Sequence, residues 1–389
     1  MTSVPTRATG TRHVLVICQL DAYANGVKPV EIQRFLRQRG HDVHLVDTYH
    51  LSRSKGGPAR FAGRLPAPSP RKMALYATEA TSAALTRRWR FGRRHLSYYL
   101  LVADHRLRRA ILKRSLPLDA FDLVICETIY DAGVLAEARS ARTLYDAPAP
   151  WADEVYFDGR VTERQHHKLR RLETAVFEGV DHLALHWDSY ARYAVEHYKI
   201  SGRNLMSLNF GCAPSPRRAR FAAPPRIVYL GNVTAGFNNP ALLARLSTLY
   251  PHIDVYGGPP PDPALGLRYL GYAPSIDVLR NYQLGLVTCS QDQLRRDGFS
   301  SKHVHYLSYG LPVLVPSWRR HLDLLRGSVV YTEETFRSVV EDLSEERRWR
   351  SASDEAYAQA ERLSWDETLR PLERLLSRDP HLPRDPTWT

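Results

Sequence analysis

The chain is short of cysteine, of acidic charge and of long apolar runs. Its four cysteines, Cys18, Cys126, Cys212 and Cys289, lie far apart in 389 residues, with no C-x-x-C pair. They read as small core hydrophobes of a reducing compartment, not as a ligand set or a disulfide framework. No window reaches the roughly 18–20 apolar residues of a membrane span. Val14–Leu20 is too short for a signal-peptide core and reads as a strand, so the expected location is the cytoplasm. The motifs H-E-x-x-H, G-x-x-x-x-G-K-[ST], G-x-S-x-G and G-x-G-x-x-G are all missing. That removes the zinc-protease, P-loop, α/β-hydrolase and dinucleotide-binding readings. Sixteen histidines are scattered, and His166-His167 are adjacent instead of at i,i+4 ligand spacing, so no metal site is expected.

Acids number 41 against 54 lysines and arginines, a formal charge of +13. The excess favours anionic partners: nucleoside diphosphates, anionic lipid or nucleic acid. No RNA-recognition motif, zinc finger or basic tail is found, which disfavours nucleic acid. Much of the charge is arginine in an Ala/Pro/Arg-rich chain, a composition that genome bias alone also produces. With 43% hydrophobic residues the chain can build two cores, and its length fits two domains.

The first half opens with an aperiodic stretch, then a strand over His13–Cys18, a loop closed by Asn25-Gly26, a helix to about Arg39 with Pro29 in its first turn, and a strand over Val43–Val46. This is a βαβ opening without the glycine fingerprint of a dinucleotide site. Residues 52–118 depart from the repeat. A Gly/Pro-rich cationic loop precedes residues 87–114, where cations alternate with Trp89, Phe91, Tyr98, Tyr99, Leu100 and Leu101. This mixture suits an interfacial helix on anionic membrane, or a surface for single-stranded nucleic acid. It equally suits an ordinary amphipathic helix pair with its aromatics in the core and its arginines in water.

FDLVIC ends a strand just before Glu127, and Arg142–Asp146 repeats the arrangement. Ligands of open α/β sheets bind beyond such strand ends. A charged helix over 162–178, a strand to Leu185 and a helix over 188–198 follow. Pro214, Pro216, Pro224 and Pro225 make a stiff basic linker. The second half alternates strands and helices in the manner of a second parallel sheet.

The most informative stretch is Asp297–Pro316, DGFSSKHVHYLSYGLPVLVP. Ser300 and Ser301 are good N-caps for a short helix of about three turns, Gly310 suits its C′ position, and Pro312 stops it ahead of a core strand. A helix N-terminus offers unpaired N–H groups to an anion, and Lys302 adds an ammonium in the first turn.

This stretch resembles the nucleotide-sugar signature of GT-B glycosyltransferases, E-G-F-x6-E-x2-A-x-G-x-P-V. It does so through Asp297-Gly298-Phe299, His305, Gly310, Pro312 and Val313. Ser301-Lys302 aligns with the Asn-Lys or Met-Lys pair of a subset, glycosyltransferase family 4-like, that includes bacterial exopolysaccharide glucuronosyltransferases. RQRGHDVHLV, the register of Glu173 with Asp181, Asn209-Phe210-Gly211 and Ser364-Trp365 extend the likeness over nearly the whole chain.

The resemblance implies an α/β GT-B fold, two Rossmann-like domains with parallel sheets facing across a cleft. Residues 1–210 form the acceptor-side domain, 226–365 the nucleotide-sugar domain, and 366–389 a helix crossing back. Lys302 would contact the diphosphate with Ser300 and Ser301 at the helix start. Asp297 and His305, where the family carries two glutamates, would hold sugar and ribose hydroxyls. Gly231 and Asn232 follow the first strand of the second domain, and Tyr272 borders the base. Asp146 matches the residue facing the anomeric carbon. Asp146 and Asp153 are the candidates for deprotonating an acceptor hydroxyl, and Asp297 joins them in the catalytic set.

The implied activity is metal-independent transfer of a sugar from a nucleoside-diphosphate sugar to an acceptor hydroxyl, with no cofactor. The acceptor would be a small molecule or lipid-linked, and residues 87–114 could bring the protein to the inner membrane face. A nucleotide-sugar epimerase and a non-catalytic sugar-nucleotide or membrane binder are the alternatives.

Overall fold

The structure is a computed structural model that describes residues 10–20, 27–48, 93–202, 204–298, 300–319 and 326–377. Among them, two six-stranded sheets are formed, every pairing in each being parallel. The chain divides into two compact units, Met1–Leu208 with Leu369–Thr389, and Asn209–Thr368.

The sheet of the first unit uses β1 (His13–Cys18), β2 (Asp42–Asp47), β3 (Leu123–Cys126), β4 (Arg142–Ala147), β5 (His182–Leu185) and β6 (Leu205–Ser207), in the order β2-β1-β3-β4-β5-β6. HVLVIC is buried from Val14 to Cys18, because helices cover both faces and a parallel strand then has no solvent side. The helix Val27–Gln38 buries Ile32, Phe35 and Leu36, the stripe expected from sequence. The strand order reverses direction at β1/β3, so the C-terminal ends of those strands flank a crevice.

The basic stretch at 87–114 is described only from Arg93. From there it is the helix Arg93–Ser115. Leu101, His105, Arg108 and Leu112 are buried at helical spacing. Arg108 is 0% exposed and pairs with Asp104 at 2.9 Å and Asp131 at 3.2 Å, so this arginine lies in the core and not in water. Tyr98 packs against the cluster of Leu101, Ala152, Val155, Val161 and Leu169, whereas Tyr99 is exposed. Residues 52–92, the loop at 21–26 and the tail beyond 377 lie outside the described residues. Among the described residues no helix is long and apolar enough to cross a membrane.

The second unit contains β7 (Ile227–Leu230), β8 (Ile253–Tyr256), β9 (Arg268–Tyr269), β10 (Leu284–Leu286), β11 (Val313–Pro316) and β12 (Ser328–Tyr331), in the order β12-β11-β10-β7-β8-β9. This is the doubly wound order whose switch point lies between the first and fourth strands, here β7 and β10. The helix Ser301–Ser308 is held over that point by one side chain. The Tyr306 ring lies on Gly285 of β10, where a Cβ would come within 2.4 Å of it. The Tyr306 hydroxyl accepts from the Leu230 amide at 2.7 Å and donates to the Leu286 carbonyl at 3.2 Å. The helix has eight residues, about two turns and not three, and ends at Gly310 with φ +70°. Trp318 sits in a turn, and residues 320–325 lie outside the described set. The last helix is two pieces, Trp365–Thr368 in the second unit and Arg370–Ser377 in the first.

Candidate functional site

In the second unit the side chains that sequence and fold bring together are Lys302, Gly231 and Asn238. Gly231 ends β7 with φ +130°, a conformation open to glycine, and a Cβ there would stand 3.1 Å from Lys302 Nζ. Lys302 therefore crosses the glycine to reach the end of β7. Its ammonium donates to the Tyr229 hydroxyl at 3.0 Å and to Asn238 Oδ1 at 3.2 Å. It also lies 4.3 Å from the Tyr229 ring centroid, a cation–π contact.

Two arginines that sequence reading passed over share this neighbourhood. The Arg295 guanidinium lies 4.2 Å over the Phe237 ring, and Arg319, buried after β11, donates to the Gly298 carbonyl. Lys302 is part-buried, and desolvation first, then Arg319 and Arg295, against an opposing effect of Cys289, bring its proton affinity down to about 7. A cationic cluster of this kind is costly until an anion arrives.

Ser300 takes the N-cap position with extended backbone, yet its side chain makes no cap bond. The serine hydroxyl thus leaves the first-turn N–H groups of Ser301 and Lys302 without a side-chain acceptor from the cap. His305 sits with its ring edge-on to Phe210 at 5.8 Å, and burial pushes it down to about 4, so it is neutral. His303 is turned into the core against Ser328 at 3.0 Å. The Asn232 side chain is engaged in its own loop, accepting from the Thr234 amide at 3.0 Å and hydroxyl at 2.7 Å, so it shapes the turn after Gly231. Tyr272 is 53% exposed just past β9, beside the exposed Leu270. The side chain of Asp297 and all of Phe299 lie outside the described residues.

The first unit carries a second cluster at the ends of β3, β4 and β5. The Lys28 ammonium donates to Asp146 Oδ1 at 2.8 Å and to the Leu208 carbonyl at 2.7 Å, and lies 2.9 Å from His186 Nε2. Asp146 is 1% exposed. Burial opposes its charge, but Lys28 and His186 overcome this and hold the carboxyl below its ordinary range. An inaccessible, low-affinity carboxylate clamped by lysine is a poor general base. His186 is presented by a strained junction: Trp187 takes φ +74°, which costs a bulky residue on the order of 1–3 kcal/mol.

Glu127 stands apart from that clamp. It is 9% exposed, and its Oε1 has no hydrogen-bond partner. Burial, then Asp146, push its proton affinity well above the usual carboxylate range. The signal for it was present in sequence, a lone acid immediately after a core strand, but nothing there separated it from Asp146.

Asp153 is 0% exposed and saturated. It receives His166 at 2.5 Å, Arg170 at 2.8 Å and the Tyr193 hydroxyl at 2.9 Å. Those bonds tie the helix Trp151–Phe157 to the helices Glu163–Glu178 and Trp187–Tyr198, a structural job that leaves no lone pair aimed at a substrate. Glu173 caps the start of the helix Trp151–Phe157 through the Trp151 and Ala152 amides at 2.7 and 2.9 Å, and Asp181 anchors Thr143 at 2.9 Å. Among the described residues no group of three or more His, Cys, Asp or Glu is placed to hold a metal ion.

No family model matches this sequence, and no curated protein does. Solved structures do match in shape. HepE from Anabaena, in complex with UDP and glucose, superposes with a TM-score of 0.60 at 12% identity, over 94% of this chain and 99% of that one. Sucrose-phosphate synthase from Thermosynechococcus elongatus gives 0.62 at 11% identity, over 94% and 98%. TarM from S. aureus, in a complex containing UDP, gives 0.54 at 10% identity; the match spans 70% of this chain and 58% of TarM. At these identities the likeness is one of fold. The chain has the two-sheet, Rossmann-like GT-B architecture that its Asp297–Pro316 motif implied.

Proposed function

We propose that this protein transfers a sugar from a nucleoside-diphosphate sugar to an acceptor hydroxyl. The observation that carries this reading is the cationic cluster of Lys302, Arg295 and Arg319 beside Gly231 at the β7/β10 switch point. A departing diphosphate gathers negative charge as the glycosidic bond breaks. Fixed cations and helix N–H groups stabilise that charge without reorganising, and this lowers the barrier. On this reading transfer is metal-independent, with Lys302 and the two guanidiniums supplying the countercharge to the bound diphosphate. The loop after β7 carries Asn232, Thr234 and Asn238 instead of the usual family cations; Arg295 and Arg319 take their place. The known structures with this fold that hold UDP support a nucleotide-sugar donor.

On this reading Asp297 and His305 remain candidates for hydroxyl contacts of the donor, and Tyr272 for the border of the base. Lys28 and Asp146 shape the strand ends of the first unit, and Glu127 is the acid there with a proton to give. A small or lipid-linked acceptor, and approach to a membrane through the helix Arg93–Ser115, are further parts of the proposal.

The test is a thermal-shift screen of the full chain against UDP, GDP, dTDP and ADP. One nucleoside diphosphate should raise Tm, and Lys302→Ala should abolish most of the rise. At ligand a hundredfold over Kd the stabilisation is about 2.7 kcal/mol. No shift with any of the four would remove the basis of the reading.

A further inference from the structure

Lys302 is unusual in what surrounds it. Both of its hydrogen-bond acceptors, the Tyr229 hydroxyl and Asn238 Oδ1, are neutral, and among the described residues it has no carboxylate partner. From β7 it faces the Tyr229 ring, and from the segment after β10 the Cys289 thiol, itself influenced by Asp292. The helix Gln293–Asp297 contributes Arg295, and the segment after β11 contributes Arg319. On its own helix, burial leaves His303 and His305 neutral. Asp292 does not meet the lysine; it caps the helix Gln293–Asp297 by accepting from the Arg295 amide at 3.0 Å. Among the described residues, the charged groups acting on Lys302 are thus two guanidiniums. Arginine cannot shed its proton, whereas lysine can. Without an anion beside them, the three cations are relieved of their mutual repulsion if Lys302 becomes an amine.

A diphosphate reverses this balance, because its charge favours the ammonium. We propose that the site takes up its nucleoside diphosphate together with one proton: Lys302 is an amine in the unliganded protein and an ammonium in the complex, the proton coming from solvent. This rests on the donor-site reading above. The effect of burial and of the two arginines, which brings Lys302 to about 7, sets where the linkage shows. Below that pH the lysine is charged before binding and no proton is taken up. Above it, uptake approaches one proton, and affinity falls by up to about tenfold per pH unit until the raised value in the complex is passed.

The experiment is calorimetry on the full chain with UDP-glucose, GDP-mannose, dTDP-glucose and ADP-glucose, continued with whichever binds. A sugar ester is used because its diphosphate has no proton of its own titrating near neutrality. Binding heats are measured at about pH 6 in Mes and in Bis-Tris and at about pH 8 in Hepes and in Tris, each pair differing in ionisation heat and free of phosphate. The expected result at the higher pH is a buffer-dependent heat corresponding to nearly one proton, vanishing at the lower pH. Lys302→Arg should bind with no buffer dependence at either pH. Lys302→Met should bind more weakly than the parent protein at both pH values, by the smaller factor at the higher, and with no buffer dependence. Tight binding at the higher pH with equal heats in both buffers overturns the proposal and leaves the donor site standing. Buffer-dependent heat that persists in Lys302→Arg also overturns it. No binding by any of the four sugars at either pH fails the donor-site reading itself, and the proposal with it.

Discussion

A buried carboxyl and a clamped carboxylate sit side by side at the strand ends of the first unit, and their protons behave in opposite ways. Lys28 holds Asp146 ionised, whereas burial and the neighbouring Asp146 keep Glu127 protonated. For Glu127 the folded state binds its proton more tightly than the unfolded chain. Its share of stability is therefore complete below the ordinary glutamate range and is lost as pH rises through it toward the raised folded value. Each pH unit crossed in that window costs about 1.4 kcal/mol. Glu127→Gln, which stays neutral, should match the parent protein near pH 4 and unfold at higher urea than the parent near neutrality. Equal urea midpoints for the two proteins at neutral pH would mean that Glu127 ionises freely in the fold. The same residues show the limit of sequence reading. Asp146, Asp153 and Glu127 are all acids near strand ends, and composition cannot say which one is clamped, which one is saturated by three donors and which one is left with an unmet oxygen. Those outcomes depend on Lys28, His166, Arg170 and Tyr193, placed 13 to 118 residues away in the chain.

At the level of elements, the boundaries that local chemistry controls were readable. His13–Cys18 follows from an apolar run after His13, and Pro240–Leu249 from a proline at a helix start. Gly310 and Pro312 marked the end of the helix Ser301–Ser308. Legibility failed where an element is shaped by what it touches. Residues 87–114 suit a helix with its arginines in water as well as one on a membrane, but Asp131 and Asp104 draw Arg108 into the core. Arg295 and Arg319 belong to no motif, and only the path of the chain past the ends of β10 and β11 brings them near Lys302. The Tyr306 hydroxyl is likewise invisible in sequence. Strands β7 and β10 pair only at Ile227–Leu284 and Val228–Gly285, and beyond that the hydroxyl spans the gap from the Leu230 amide to the Leu286 carbonyl. Tyr306→Phe should leave both backbone groups short of a partner and cost about 1–3 kcal/mol in urea unfolding. Because Leu230 adjoins Gly231, the loss should also weaken nucleotide binding in the same thermal-shift assay. A variant with parental stability and parental nucleotide response would show that the strands hold their spacing unaided.

For the whole molecule, the first unit is built from both ends of the chain. The helix Arg370–Ser377 buries Leu372, Leu375 and Leu376, Glu373 pairs with Arg39, and the Arg142 guanidinium donates to the Leu375 carbonyl. Each buried leucine contributes about 1.5–3 kcal/mol. A chain stopped after Thr368 should therefore melt at lower temperature in its first unit while Asn209–Thr368 is unaffected, seen as one displaced and one constant transition in calorimetry. Simultaneous loss of both transitions would show that the units do not fold separately. The arrangement also imposes an order on biosynthesis. The ribosome releases β1–β6 long before the segment that completes their surface, so the early product waits, with apolar positions still wet, until the entire second unit has emerged and the last helix arrives to cover them.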